Sequence, residues 1–208
     1  MNKYNKKYFE TLNYGGYLSR RDRYLRLARE IHELLITLQL VKKSSKFMDY
    51  GCAVGFIMEG LNELGYRNTY GYDISRWASA QARSKGLNIL KSLESRTFDV
   101  MICLDVLEHM TDSEINKAFD QFKSEIIIVR IPCSIDRKQF VLDISNKDRT
   151  HINLKTKGDW INLLNNLGYT TLLPLDLFTI YDTPGVMCAL GLKAKAYYNT
   201  KSSPGIDQ

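Results

Sequence analysis

The sequence predicts a doubly wound α/β fold: a mainly parallel, seven-stranded, Rossmann-like sheet with helices on both faces. Three observations carry this prediction. Short apolar runs of strand length alternate along the chain with stretches of helical spacing, the pattern of successive βαβ units. Phe98 to Leu104 is a near-continuous apolar run, as expected of a strand covered on both faces. The small-residue turn Gly51-Cys52-Ala53-Val54-Gly55 stands between a strand and a helix, where open sheets of this kind receive ligands.

The elements follow in order. Residues 1–19, rich in Tyr, Asn, Lys and Gly, read as an irregular arm or lid that includes Tyr14-Gly15-Gly16-Tyr17. Tyr24, Leu27, Ile31, Leu34, Leu35 and Leu38 recur at helical spacing and mark an amphipathic helix from Ser19 to about Lys43. Phe47 to Tyr50 is a first strand, and Phe56 to Leu64 is a helix closed by Gly65. Thr69 to Ile74 is a second strand, Ser75 to Ser84 a helix ending at Gly86, and Leu87 to Leu90 a brief third strand. Phe98 to Leu104 is the fourth. Thr111-Asp112-Ser113-Glu114 has capping-box spacing and opens the next helix. Glu125 to Ile131 is a fifth strand, halted by Pro132, and residues 133–155 form a long polar connection of the sort that often carries function. Thr156 caps a helix through Leu167, closed by Gly168, and Thr170 to Leu173 and Val186 to Ala194 complete the sheet. One domain is expected over residues 20–197, with a disordered tail over 198–208.

Composition sets the class. The chain has 208 residues, enough for one domain with a sizeable core. No apolar run approaches the roughly 20 residues of a membrane span, and the basic, polar start lacks the apolar region of a secretory signal. A cytoplasmic protein without a membrane partner is therefore expected, as a monomer or homodimer. Cys52, Cys103, Cys133 and Cys188 are scattered without C-x-x-C spacing and read as reduced, buried thiols. Lys and Arg number 29 against 23 Asp and Glu, and part of this surplus lies in Lys3, Lys6, Lys7, Arg20, Arg21, Arg23, Arg26 and Arg29. Such a surplus attracts phosphate-bearing molecules or simply solvates a helix face.

The glycine turn has an acidic partner. Glycines permit positive φ and close approach of main chain to a ligand, and the helix N-terminus beyond presents unpaired N–H groups. Asp73, at the end of the second strand, follows about 20 residues later, where a carboxylate accepts bonds from ribose hydroxyls. Asp49, Gly51, Ala53 and Gly55, with Asp73, resemble the first two motifs of class I S-adenosylmethionine-dependent methyltransferases. The spacing is not the G-x-G-x-x-G of nucleotide dehydrogenases. Phe98-Asp99-Val100, then Asp105-Val106-Leu107-Glu108-His109, resembles the fourth strand and its exit in that superfamily. Asp148 to Asn153, with Trp160 and Gly168-Tyr169, resembles a late segment of its small-molecule members.

The resemblance implies S-adenosylmethionine as cofactor and S-adenosylhomocysteine as product. It implies that Gly51, Cys52, Ala53 and Gly55 line the methionine portion and ribose and that Asp49 helps hold the amino group. Asp73 takes both ribose hydroxyls, Ile74 packs on adenine, and Leu104 and Asp105 border the methionine end. After the third strand only Ser92 is offered to the adenine amine. Tyr14 and Tyr17 are expected at the substrate or in a lid over the cofactor.

The acceptor is read as a small polar molecule whose hydroxyl needs a base, a sugar or similar metabolite. His151, flanked by Asp148, is the favoured base, and His109 the second choice. No metal is assigned in this reading. An alternative keeps Asp105, Glu108, His109 and His151 as a divalent-metal set. It resembles the metal-dependent methyltransferases of the 2′-hydroxyl at small-RNA 3′ ends. In the leading reading Glu108 only braces its helix, and His32 is a packing residue. A last alternative is a non-catalytic, cofactor-binding activator of a partner methyltransferase.

Overall fold

A computed structural model describes residues 3–11 and 16–194. Its centre is a sheet of six strands in the order β2-β1-β3-β4-β6-β5. The strands are β1 (Phe47–Tyr50), β2 (Thr69–Tyr72), β3 (Arg96–Leu104), β4 (Phe122–Pro132), β5 (Thr171–Pro174) and β6 (Val186–Leu192). β1 pairs in parallel with β2 and β3, and β3 with β4. β6 is antiparallel to both β4 and β5, so it alone runs against the rest.

Alternation along each central strand builds two cores. Val100 and Ile102 of β3 and Ile126 and Ile128 of β4 face one side, under Leu27, Ile31 and Leu35 of helix α2 (Arg21–Thr37) and Ile57 and Leu61 of α3 (Phe56–Glu63). Met101, Cys103, Ile127, Val129 and Ile131 face the other, under Ile115 and Phe119 of α5 (Asp112–Gln121) and Trp160 and Leu164 of α7 (Lys157–Asn166). This is the two-period of a strand meeting the 3.6-period of a helix. Ile31 and Leu35 are fully buried, so truncating either to alanine costs about 2–5 kcal/mol. Both expected caps form: Thr111 with Glu114, and Thr156 with Asp159, each reciprocally bonded. All four cysteines are buried and unbridged. Among the described residues, no helix is long and apolar enough to cross a membrane.

Four expectations need adjustment. The third strand, Leu87 to Leu90, is reduced to one parallel bridge, Gly71 with Ile89, because polar Lys91 and Ser92 end the run before a ladder forms. The sheet therefore has six strands, not seven, among the described residues. The long helix stops at Thr37, not Lys43, because Gln39 adopts a left-handed φ of 55° and Leu40 N–H turns back to the Leu35 carbonyl. The arm is not irregular throughout: it holds helix α1 (Lys6–Thr11) and a 3-10 turn at Tyr17–Arg20. The 133–155 connection contains the short helix α6 (Asp143–Lys147). Tyr14 and the tail expected over 198–208 lie outside the described residues.

Candidate active site

The carboxyl ends of β1, β2 and β3 surround a cavity of about 340 Å³. It sits where chain connections leave the sheet in opposite directions, the usual ligand position in such folds. Gly51 makes the first wall. Its φ is +79°, and a Cβ there would lie 2.6 Å from Val106, so only glycine lets the main chain turn here. Ala53 also holds a positive φ, 47°, and its N–H donates to Asp73 at 2.8 Å. Ser75 N–H donates to the other Asp73 oxygen at 2.7 Å, which fixes the carboxylate at the cavity edge. Burial raises the Asp73 pKa, and these two N–H bonds work against that rise.

Asp49 lies deeper. It is buried, lines the cavity and has no hydrogen-bond partner among the described residues. Burial first, and the nearby Asp73 second, push its pKa up to about 8. Cys52, Ile74, Leu104 and Asp105 also line this space, as does Tyr17. Gly55 is not among the lining residues: a Cβ there would collide with the Leu87 side chain, so its absent side chain lets the start of α3 pack against the segment after Gly86. Ser92 is turned away to Glu94, at 2.8 Å, and its neighbour Leu93 lines the cavity instead.

The arm roofs the cavity. Tyr4, Tyr8 and Phe9 line it together with Tyr17 and Tyr24. Phe9 packs on Trp77 and Tyr17, Tyr17 stacks on Phe56, and the Ser75 hydroxyl donates to the Tyr4 carbonyl. Tyr8 O–H reaches further and donates to Asp148 at 3.0 Å. None of Tyr4, Tyr8, Phe9 and Tyr24 was legible as a site residue. The signal was faint: Tyr4 stands just before α1 and Tyr8 within it, in a segment with no apolar period of its own.

A second cavity of about 420 Å³ adjoins the first, and Tyr24 and Asp105 line both. Asp105 follows β3 in a left-handed conformation, φ 51°, uncommon outside glycine. Arg130 of β4 grips its carboxylate with two donors, Nε at 2.9 Å and Nη2. His151, Asp148 and Glu108 line the second cavity, whereas His109 lines the first.

The two histidines meet because the Glu108 carbonyl accepts N–H bonds from both Ile152 and Asn153, which ties the late loop to the turn after β3. Their rings are 4.5 Å apart. His151 Nδ1 lies 2.9 Å from the Ser145 carbonyl, an acceptor only, so Nδ1 carries the proton. Thr150 spends its hydroxyl proton on Asp148, so His109 Nδ1, 2.9 Å away, donates to Thr150. Both imidazoles thus present a bare Nε2, 3.8 Å and 3.9 Å from one Glu108 oxygen. Glu108 is fully buried, and neither carboxylate oxygen has a hydrogen-bond partner. Burial raises its pKa well above the carboxylate range. Burial likewise lowers His109, with His151 adding to the effect, to about 4, and lowers His151. Ligand atoms of Glu108, His109 and His151 all fall within 4.8 Å of one another, so these three could hold a metal ion. Asp105 stands apart from this trio, engaged by Arg130.

A family model described as "Methyltransferase domain" matches residues 17–173, well over half of the chain. The chain belongs to this methyltransferase family. It is a class I S-adenosylmethionine-dependent methyltransferase. The cavity fits such a cofactor: a buried carboxylate without a partner, a second carboxylate fixed at the rim, and a glycine wall where no side chain has room. Solved structures show the same fold in this methyltransferase's neighbours. A SAM-dependent methyltransferase from Archaeoglobus fulgidus is 17% identical, with a TM-score of 0.61, over 85% of this chain and 99% of that one. Magnesium protoporphyrin IX methyltransferase of Synechocystis PCC 6803, crystallised with SAH, is 18% identical, with a TM-score of 0.58, over 83% and 84%. The methyltransferase domain of bacterial CtHen1 is 15% identical, with a TM-score of 0.57, over 83% and 100%. Comparison with curated protein sequences found no match.

Proposed function

We propose that this methyltransferase modifies a hydroxyl of a small polar acceptor, sugar-like in size, held in the second cavity. One observation carries the reading: that cavity adjoins the cofactor cavity across Tyr24 and Asp105 and holds His151, whose bare Nε2 is a base. S-adenosylmethionine, when bound, supplies a methyl group on a cationic sulfur, so alignment does much of the catalytic work. What is left to the chain is positioning and one proton. Asp73 holds the ribose hydroxyls, Asp49 the amino group, and Gly51, Cys52 and Ala53 the surface between them. Ile74 and Leu93 flank the base, and Leu104 and Asp105 border the methionine end. His151 Nε2 removes the acceptor proton, and Asp148, 3.7 Å from that nitrogen, stabilises the imidazolium that forms. The arm, residues 3–11 and Tyr17, serves as the lid that keeps water from the reacting centre.

A second reading rests on Glu108. A buried carboxylate with no partner, facing two histidine nitrogens, is a set of three metal ligands. Here the acceptor oxygen would be activated by a divalent ion and not by imidazole. Calorimetry with S-adenosylhomocysteine and a transfer assay separate the two. In the base reading EDTA changes nothing, and His151→Ala lowers kcat by about a hundredfold or more while donor affinity holds. Loss of activity in EDTA, restored by manganese or magnesium, replaces the base with the metal. Absence of S-adenosylhomocysteine binding sinks both.

A further inference from the structure

The second cavity has an apolar mouth that the hydroxyl chemistry does not explain. Ile144 is 57%, Tyr181 55% and Leu142 37% exposed, and all three line the cavity. Single exposed apolar side chains are common on protein surfaces, but three around one opening form a patch. They come from two lips. Leu142 caps α6 and Ile144 lies within it, whereas Tyr181 belongs to the loop between β5 and β6. Both lips are held from behind. Asn146 accepts from Phe140 N–H at 2.7 Å and donates to the Phe140 carbonyl at 2.9 Å, which clamps the first. Glu30 accepts from Thr179 N–H at 3.0 Å and from its hydroxyl at 2.6 Å, which pins the second. The lips touch at one end, where a Cβ on Gly185 would meet Leu142 at 3.0 Å. The charged groups of the cavity are engaged within the protein. Arg130 grips Asp105, Asp148 accepts from Tyr8 and Thr150, Arg23 donates to the Thr179 carbonyl, and Arg20 is partnered as well. Burial favours the neutral form of Glu108. The lips thus present apolar surface to an incoming molecule, continuous with the polar floor that holds His151.

We propose that the acceptor is amphipathic: its hydroxylated ring reaches His151, and an alkyl chain attached to that ring lies between Ile144 and Tyr181 at the mouth. Covering these side chains removes apolar surface from water on both partners, a gain that grows with each methylene buried. The two ends of one cavity then orient the molecule. A substrate entering backwards would press its chain on Glu108, Asp148 and Arg130 and strip water from polar atoms without replacing it. The occupant is a single dissolved amphiphile and not a bilayer. The apolar side chains line a recess between two lips, and α6, with five residues, is too short to lay an apolar face on a membrane.

The inference rests on the hydroxyl-transfer reading, and its test keeps the two apart. The protein is loaded with S-adenosylhomocysteine, which fills the cofactor cavity, and titrated with methyl glucoside and with octyl glucoside below its micelle-forming concentration. Octyl glucoside is expected to bind about tenfold or more tightly than methyl glucoside. The pair Ile144→Ser with Tyr181→Ser is expected to remove that advantage and to leave S-adenosylhomocysteine binding unchanged. Both side chains are exposed, so the fold does not depend on them. Ile135→Ser removes a more exposed apolar side chain of the same connection that lines neither cavity. It is expected to change nothing. Equal binding of the two glucosides, no binding of octyl glucoside, or equal losses in the double variant and Ile135→Ser overturns the proposal. Sedimentation of the protein with phosphatidylcholine vesicles, lost in the double variant, assigns the lips to a bilayer and also overturns it. The hydroxyl reading fails separately: His151→Ala with full kcat in the transfer assay sinks it and leaves the lip measurement standing.

Discussion

The two cavities share a wall but are built from different materials. The cofactor cavity is made largely of main chain. Strand ends turn in left-handed conformations at Gly51 and Ala53, and a carboxylate is locked by two N–H groups. The second cavity is made of side chains from scattered segments: Arg23 from α2, Glu108 after β3, Arg130 from β4, His151 from the late loop. A surface of main chain demands small residues at set positions, so it leaves a motif. A surface of side chains demands only that distant segments meet, so it leaves none. The same contrast explains how the fold can host many acceptors over one cofactor site.

Asp73→Ala strikes the main-chain cavity hardest. It removes the proposed acceptor of the ribose hydroxyls and the anchor of Ala53 N–H, so S-adenosylhomocysteine affinity is expected to fall by about a hundredfold or more by calorimetry. Binding of an acceptor probe in the second cavity should hold. If both fall together, the cavities act as one room and the contrast fails.

Asp49→Asn sharpens it in the opposite sense. The folded-state pKa, about 8, lies above the roughly 3.9 of an exposed aspartate. The folded, donor-free chain therefore binds a proton that the unfolded chain has lost. Its contribution is full below about pH 4 and disappears as pH rises through 8. At pH 8, Asp49→Asn is expected to raise donor-free stability by about 1–3 kcal/mol in denaturant titrations, and to weaken donor binding. A variant no more stable than the parent at pH 8 would mean that Asp49 is ionised and solvated in the empty protein.

Tyr8→Phe probes a bond that joins the two rooms through the roof. Loss of the hydroxyl that donates to Asp148 is worth about 1 kcal/mol, so a roughly fivefold rise in acceptor KM is expected with near-parental donor affinity. A larger effect on the donor than on the acceptor would assign Tyr8 to the cofactor alone.

The division also marks what could be read without coordinates. Most of the strand and helix order, the Thr111–Glu114 capping box, the Thr156 cap and the placing of Asp49 and Asp73 at strand ends were legible, because each rests on local periodicity or on a residue type suited to one position. The third strand failed because four residues with a single neighbour do not make a ladder. The end of α2 was missed because Gln39 takes a conformation that glycine usually marks. The leading reading made Glu108 a brace and only the metal alternative set it with the histidines; it lies buried and without a hydrogen-bond partner beside His109 and His151, a fact created by a loop more than 40 residues away. The roof tyrosines were hidden in a segment whose composition suggested only irregular chain.

The reversed direction of β6 has a practical consequence. Val186 lies beside Pro132 at the cavity end of the sheet, and Leu192 lies beside Ile126 at the far end. The backbone therefore departs on the side remote from the chemistry, while the amino-terminal stretch lies across the cofactor opening. A label fixed to Lys193, just past β6, would leave both entrances facing solution. The same label on Lys6 of α1 would sit beside the doorway.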